Sequence, residues 1–380
     1  MEHNVPWLAL KSVPGIGNLM FNRLVGDIGS PQAVLQASSE RLSRVNGMTP
    51  QLVRAIRGYR CPDWVFMEIE RCSKKGFRII TLTNPDYPAL LLHIPDPPPL
   101  LYCYGALAPT QCHVAVVGSR KATAYGMINA KSLSGGLAAK GIGVVSGMAR
   151  GIDTAAHIGA MEGGGLTVAV LGSGLECVYP AENLKLFHRI AENGAVISEF
   201  PLDAKPDPHH FPQRNRIISG MALGTVVVEA ADRSGSLITA KLAAEQGREV
   251  FAVPGSIHAA TAQGTHNLIR QGAKLVENAE DIIEEIAPQI CPAPHRQPAP
   301  ESAATRPGPP EQAPLTDQEA RLLEAMGPYP VHIDELARRC NQEVGPMSAI
   351  LLQLELKGVV VQEPGKYFHA LSMEKIDRVK

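Results

Sequence analysis

Val114-Ala-Val-Val117 runs straight into Gly118-Ser119-Arg120, and the residues beyond read as a helix. A short, wholly apolar strand that enters a glycine turn and then a helix is the repeating unit of a parallel sheet covered on both faces. The event recurs. Val144-Val145 leads into Ser146-Gly147, and Val168-Ala-Val-Leu171 leads into Gly172-Ser173-Gly174. Each junction leaves unpaired backbone N–H groups at a helix N-terminus, where a glycine lets an anion come close. Three of them in about sixty residues, with Arg120 at the first and Gln213-Arg214-Asn215-Arg216 further on, predict a surface for phosphates.

Working outward, AVIS, TVVVEA, EVFAV and KLVE continue the strand series to about residue 277. The fold class expected is α/β, with a Rossmann-like doubly wound parallel sheet over residues 66–287. Its ligand crevice should lie outside the carboxyl ends of the strands, where every glycine turn named above falls. Two shorter strands, Phe77–Leu82 and LLYCYG, are placed at the edge of that sheet.

Residues 288–314 hold nine prolines in 27 positions and read as an extended linker. The segment after it, 315–380, opens on Thr316-Asp-Gln-Glu319, a capping box ahead of ARLLEAM. IDELARRC and MSAILLQLELKG follow as helices, then a hairpin turning at Pro364-Gly365, the pattern of a winged helix. Residues 1–65 read as short helices around Val13-Pro14-Gly15-Ile16-Gly17 and Val45-Asn46-Gly47-Met48. That resembles a helix-hairpin-helix or SAM-like domain, whose turns point N–H groups at phosphate.

The net charge of −1 argues against a protein that coats duplex DNA with positive field. Residues 1–60 carry seven basic and three acidic side chains, 109–287 carry fifteen and seventeen, and 315–380 carry eight and ten. A nucleic acid would have to be held by local clusters and backbone amides. The seven cysteines are scattered, without a C-x-x-C pair, which fits reduced thiols rather than a disulfide framework or zinc site. No apolar run approaches the roughly 20 residues of a membrane helix, and the N-terminus lacks a signal-peptide pattern, so a cytoplasmic protein is expected.

Catalysis finds little support. GSRKAT does not fit G-x-G-x-x-G, no G-x-x-x-x-G-K-[ST] occurs, and His209-His210 lacks partners at metal-ligand spacing. Neither a cofactor nor a metal is expected.

The blocks VAVVGSR, VVSGMARGIDTAAHIGAM, VAVLGSGLECVYPAEN, SEFP, FPQRNRIISGMA, VVVEAADRSGSLITAKLAAEQGREVFAVPGS and QGTHNLIRQGA follow one another in this order along the central body. The sequence resembles the DNA-processing protein A (DprA, also called Smf) family. The resemblance implies a non-enzymatic protein that binds single-stranded DNA and brings the recombinase RecA onto it, displacing single-strand-binding protein, in natural transformation and recombination. It also implies a homodimer formed near the C-terminal end of the core, a face that here carries Ile257, Leu268 and Ile269. The competing reading is a nucleotide-binding or nucleotide-hydrolysing protein on the same fold.

Arg120, beside Gly118 and Ser119, matches the family's basic residue for strand phosphates, and its planar fork suits them. Ser146, Gly147, Gly172 and Gly174 frame the second and third turns. Tyr179 and Asn183 flank Ala181, where the family often carries a DNA-contacting lysine; Lys185 would substitute for it. Arg214, Asn215 and Arg216 are expected to brace a backbone, with one arginine buried as a clamp on Glu229. Ser234, Gly235 and Ser236 open a further anion cradle. Asp153 either orients loop amides, binds a ribose or caps its helix.

Overall fold

Hydroxyl caps and prolines cut the first seventy residues into helices. α1 (Val5–Lys11) and α2 (Asn18–Ile28) are followed by α3 (Pro31–Gln36), α4 (Ser39–Ser43) and α5 (Pro50–Arg57). The side chains of Ser30, Ser38 and Thr49 accept from the amides of Ala33, Arg41 and Leu52 at 3.1–3.2 Å, and proline stands first in α3 and α5. α6 (Asp63–Lys74) completes the layer. Trp7 and Phe21 stack at 5.5 Å in a core that runs on through Leu24, Val34 and Ile56 to Tyr102, Leu171 and Val196. These helices therefore lie on one face of a sheet.

The computed structural model describes residues 2–108, 112–290, 316–326, 331–340, 342, 344–357, 359–363 and 366–370. The chain divides into two compact units, Met1–His295 and Arg296–Lys380.

Among the described residues the sheet of the first unit has nine strands. β1 (Arg78–Thr81) and β2 (Leu100–Gly105) are antiparallel and form one edge, as the sequence predicts. β3 (His113–Val117), β4 (Gly143–Ser146), β5 (Thr167–Leu171), β6 (Gly194–Ser198), β7 (Gly224–Val227), β8 (Glu249–Ala252) and β9 (Lys274–Leu275) are parallel. The order is β1-β2-β6-β5-β4-β3-β7-β8-β9. Val114 and Val116 face one side of the sheet, Ala115 and Val117 the other, so β3 is buried on both.

α7 (Ala124–Ala139), α8 (Ile152–Glu162) and α13 (Ala279–Ile290) cover the first side, with α9 (Leu184–Glu192) beside the N-terminal helices. α10 (His210–Gly220) and α11 (Gly235–Glu245) cover the second, and α12 (Gln263–Arg270) lies along β8. The chain steps outward from β3 through β4 and β5 to β6, then returns to lay β7 on the far side of β3. That reversal is a topological switch point, and a crevice opens at the carboxyl ends of the strands beside it.

The second unit holds α14 (Asp317–Met326), β10 (Val331–His332), α15 (Ile333–Arg339), α16 (Val344–Leu356), β11 (Val360–Glu363) and β12 (Tyr367–Ala370). β12 pairs with both other strands around a core of Leu322, Leu336, Leu351, Leu354 and Phe368. This is the winged helix, with one short strand, β10, that the sequence reading missed. The turn expected at Pro364-Gly365 lies outside the described residues, as do residues 291–314 of the expected linker, whose first three residues, Pro288 to Ile290, instead end α13.

Candidate nucleic-acid interface

β3 ends at Val117 and hands the chain to Gly118-Ser119-Arg120, on the lip of a cavity of about 930 Å³. The same cavity is lined by Asp153 from α8, Tyr179, Phe211 and Arg214 from the α10 segment, and Ser234-Gly235-Ser236 at the start of α11. The Arg120 guanidinium lies over the Phe211 ring, 4.9 Å from its centre, and the ring of Tyr179 stands 5.9 Å away on a tilt. Tyr179 is 42 % exposed, so an aromatic surface meets solvent beside a cation. Arg120, Lys121 and Arg233 are exposed cations of the lining, and among the described residues none of them forms an ion pair.

The floor is built differently. Arg214 is buried and donates Nη1 to the carbonyls of Gly147, at 2.7 Å, and of Val170, while its Nε reaches Asn215 Oδ1 at 3.2 Å. Asp153, also buried, accepts from the amides of Gly147 and Ala149 at 3.2 and 3.3 Å. Burial pushes the Asp153 carboxyl up, an effect opposed by the charge of Arg214 and by the two amides. Burial likewise lowers Arg214 to about 10, opposed by Asp153, which leaves it charged at neutral pH. The pair fixes the β4 loop under the crevice. Of the readings open for Asp153, the amide-orienting one matches this geometry; the residue before α8 is Gly151, with no side-chain cap.

Met148, in that loop, is buried with φ of 53°, a left-handed conformation uncommon outside glycine. Asn183 holds it there, donating Nδ2 to the Met148 carbonyl at 2.9 Å and to Thr154 Oγ1 at 2.9 Å.

Several residues expected at the surface are elsewhere. Ser146 is buried and donates to the Val116 carbonyl at 2.6 Å. Asn183 supports the loop from beneath, and Lys185 is exposed on α9 but not part of the crevice lining. Gln213 to Arg216 stand within α10. Arg216 does not enter the crevice; it pairs with Glu199 and reaches Asp96. The clamp expected on Glu229 is thus on Glu199, because Glu229 instead holds the amide and hydroxyl of Thr123 ahead of α7.

The glycines also play another part than anion approach. A Cβ on Gly118 would lie 2.6 Å from Ile152, on Gly147 2.5 Å from the Arg214 guanidinium, and on Gly172 2.9 Å from Phe211. On Gly174 it would meet the Pro201 carbonyl oxygen at 2.0 Å. These glycines admit neighbouring protein. Only at Gly235, among the five expected at the surface, is the space around a Cβ open. There Ser234 caps α11, its hydroxyl accepting from Ser236 N at 3.4 Å, and the positive end of the helix faces the crevice.

Sequence reasoning did not select Phe211, Lys121 or Arg233. An aromatic just ahead of the basic run in FPQRNR was the one signal for Phe211. Among the described residues no His, Cys, Asp and Glu cluster could hold a metal ion, and no helix is long and apolar enough to cross a membrane.

The model of the DNA recombination-mediator protein A family matches residues 78–287, that of the DprA winged helix domain 297–366, and that of the SAM-like helix-hairpin-helix tandem 8–57. The chain is 34 % identical over 384 residues to protein Smf of Synechocystis sp., covering 94 % of this chain and 96 % of that one. It is 42 % identical over 297 residues to protein Smf of Escherichia coli, covering 78 % of each. The X-ray structure of DNA processing protein A from Streptococcus pneumoniae superimposes with a TM-score of 0.66 at 35 % identity, over 74 % of this chain and 97 % of that one. DNA processing protein A from Helicobacter pylori, described for its single-stranded DNA binding mode, gives a TM-score of 0.51 at 30 % identity, over 56 % and 97 %.

Proposed function

Because this chain belongs to the DNA recombination-mediator protein A family, we propose that it binds single-stranded DNA in the crevice and loads RecA onto that strand during transformation and recombination. One observation carries the binding half: Arg120 and Tyr179 flank Phe211 at the switch point, with Lys121, Arg233 and the α11 N-terminus around them. A base can lie against an aromatic ring only when it is free of its own stack, while the cations and helix end take the backbone. Duplex bases offer no such face. The protein is proposed to act without catalysis of its own, as the family resemblance implies. The recombinase and displacement of single-strand-binding protein enter through the family resemblance, whereas a cytoplasmic setting rests on the scattered cysteines without a C-x-x-C pair.

The active form is a homodimer. Ile257 is 80 % exposed, and Leu268 and Ile269 are half-buried on α12, with Leu268 packed against the core. These residues form the proposed contact.

Fluorescence polarisation with a labelled single strand, its duplex and a salt series tests the binding, beside a thermal-shift screen of free nucleotides. The single strand should bind more tightly than the duplex and weaken modestly with salt, since few phosphates are neutralised. Stabilisation by nucleotides without strand binding would favour a nucleotide-binding protein instead.

A further inference from the structure

Glu199 follows β6 directly, and its side chain is 8 % exposed. A carboxylate so placed needs partners, and it has them from three elements. Lys11, the last residue of α1, stands 3.7 Å away. Asn18, the first residue of α2, donates Nδ2 to it at 2.5 Å and accepts from Lys11. Arg216 of α10 pairs with the second oxygen, and also bonds the Asp96 carbonyl and stands 3.5 Å from the Asp96 carboxylate. The two residues that bracket the first helix-hairpin-helix turn, Lys11 and Asn18, thus converge with α10 on one buried carboxylate.

α10 is gripped from both sides. Arg214 and Arg216 are two positions apart and so point about 200° from each other around the helix. Arg214 ties the helix to the crevice floor, and Arg216 ties it to the N-terminal helices. Phe211, the ring under Arg120, stands in the first turn of the same helix. Take away the carboxylate and Lys11 and Arg216 face each other as like charges, with Asp96 the remaining acceptor for Arg216.

We infer that Glu199 is a positioning residue: through it the turn between α1 and α2 sets the seating of α10, so packing of the N-terminal helices and strand binding at the crevice favour one another. The inference rests on the crevice being the strand site. Linkage makes the coupling reciprocal, so a bound strand tightens the α1–α2 turn as that turn tightens the crevice.

Full-length Glu199→Gln keeps the side-chain shape and removes the charge. It should bind a labelled single strand about tenfold more weakly, within the range of coupling between sites. Hydrogen exchange should quicken across residues 210–216, and a bound strand should slow exchange across residues 12–18 in the wild type but not in the variant. A residue that only stabilised the fold would not abolish that strand-induced protection. Lys11→Met, at a more exposed position, repeats the test should Glu199→Gln fold poorly. Arg120→Ala serves as the control for the crevice: if it binds as wild type does, the strand site is elsewhere. If Arg120→Ala weakens binding while Glu199→Gln and Lys11→Met match wild type in affinity and in exchange across 210–216, the coupling is overturned. Should the wild type bind no strand at all, unchanged exchange across 210–216 in both variants overturns it as well.

Discussion

The Arg120 guanidinium carbon and the Phe211 ring centre are 4.9 Å apart, although 91 residues separate them in the chain. β3 delivers the arginine and α10 the ring, and Gly172 beneath leaves room for the edge of the ring beside the β5 turn. A cation over an aromatic face is held in place without being neutralised, so its N–H groups stay available to phosphate.

Arg120→Ala should weaken single-strand binding by about 1–3 kcal/mol, the scale of one charge-assisted contact. Arg120→Lys should recover part of that loss, since charge remains while the planar fork does not. Polarisation titrations at one salt concentration check both; equal affinity for wild type and Arg120→Ala would remove Arg120 from the site.

Replacing Phe211 with Ala should cost about 1–3 kcal/mol of binding, the range for one stacked base. Phe211→Tyr, which keeps the ring, should stay near wild type. Titrations against strands of different composition test this, and an alanine variant with full affinity would show that no base stacks there.

Gly147→Ala should destabilise the fold as well as the crevice. The new Cβ would lie within 2.6 Å of three guanidinium atoms of Arg214, forcing that buried cation off the carbonyls of Gly147 and Val170. Breaking up a buried charge arrangement costs about 3–5 kcal/mol. Denaturant melts of wild type and variant measure it, and a loss below 1 kcal/mol would mean that Arg214 has a second comfortable seat.

His157 sits wholly buried in α8 with Nδ1 2.7 Å from Thr167 Oγ1. Burial, with the nearby charge of Arg214, lowers its pKa from 6.5 to about 3. The unfolded chain therefore takes up a proton that the folded chain refuses, so stability from the neutral ring is present above pH 6.5 and drains away as the pH falls toward 3. At pH 5.5 the loss should be about 1.4 kcal/mol relative to a non-titrating side chain. Urea melts of wild type and His157→Gln at pH 7.5 and 5.5 should show that difference shrinking in the variant; parallel pH profiles would contradict it.

Ile257→Glu should give a folded monomer where wild type is a dimer, read by light scattering behind size exclusion. Its affinity should fall more for long strands than for short ones, because two linked crevices raise effective concentration only on a strand that spans both. A wild type that is monomeric at micromolar concentration would end the dimer proposal.

Much of this architecture is written locally. VAVV, VAVL and AVI are apolar at every position, as a strand covered on two faces requires, and the glycine turns then fall at the carboxyl ends. The proline run and the hydroxyl caps are equally local signals, each acting within a few residues. Arg214 and Arg216 were not separable in this way. Both are basic, both sit in QRNR, and only the packing of α10 between the crevice floor and Glu199 sends one inward to the β4 loop and the other to the N-terminal helices. Nor could the glycines be read: Gly147 makes room for a guanidinium 67 positions later and Gly172 for a ring 39 later, which no pattern of neighbours encodes. Periodicity is a property of adjacent residues, so the sequence alone determined most of the elements, the two-residue β10 apart, and the end of the sheet at which the crevice opens. Which side chains face that crevice depends on excluded volume and charge pairing between distant residues, and only the tertiary structure decided it.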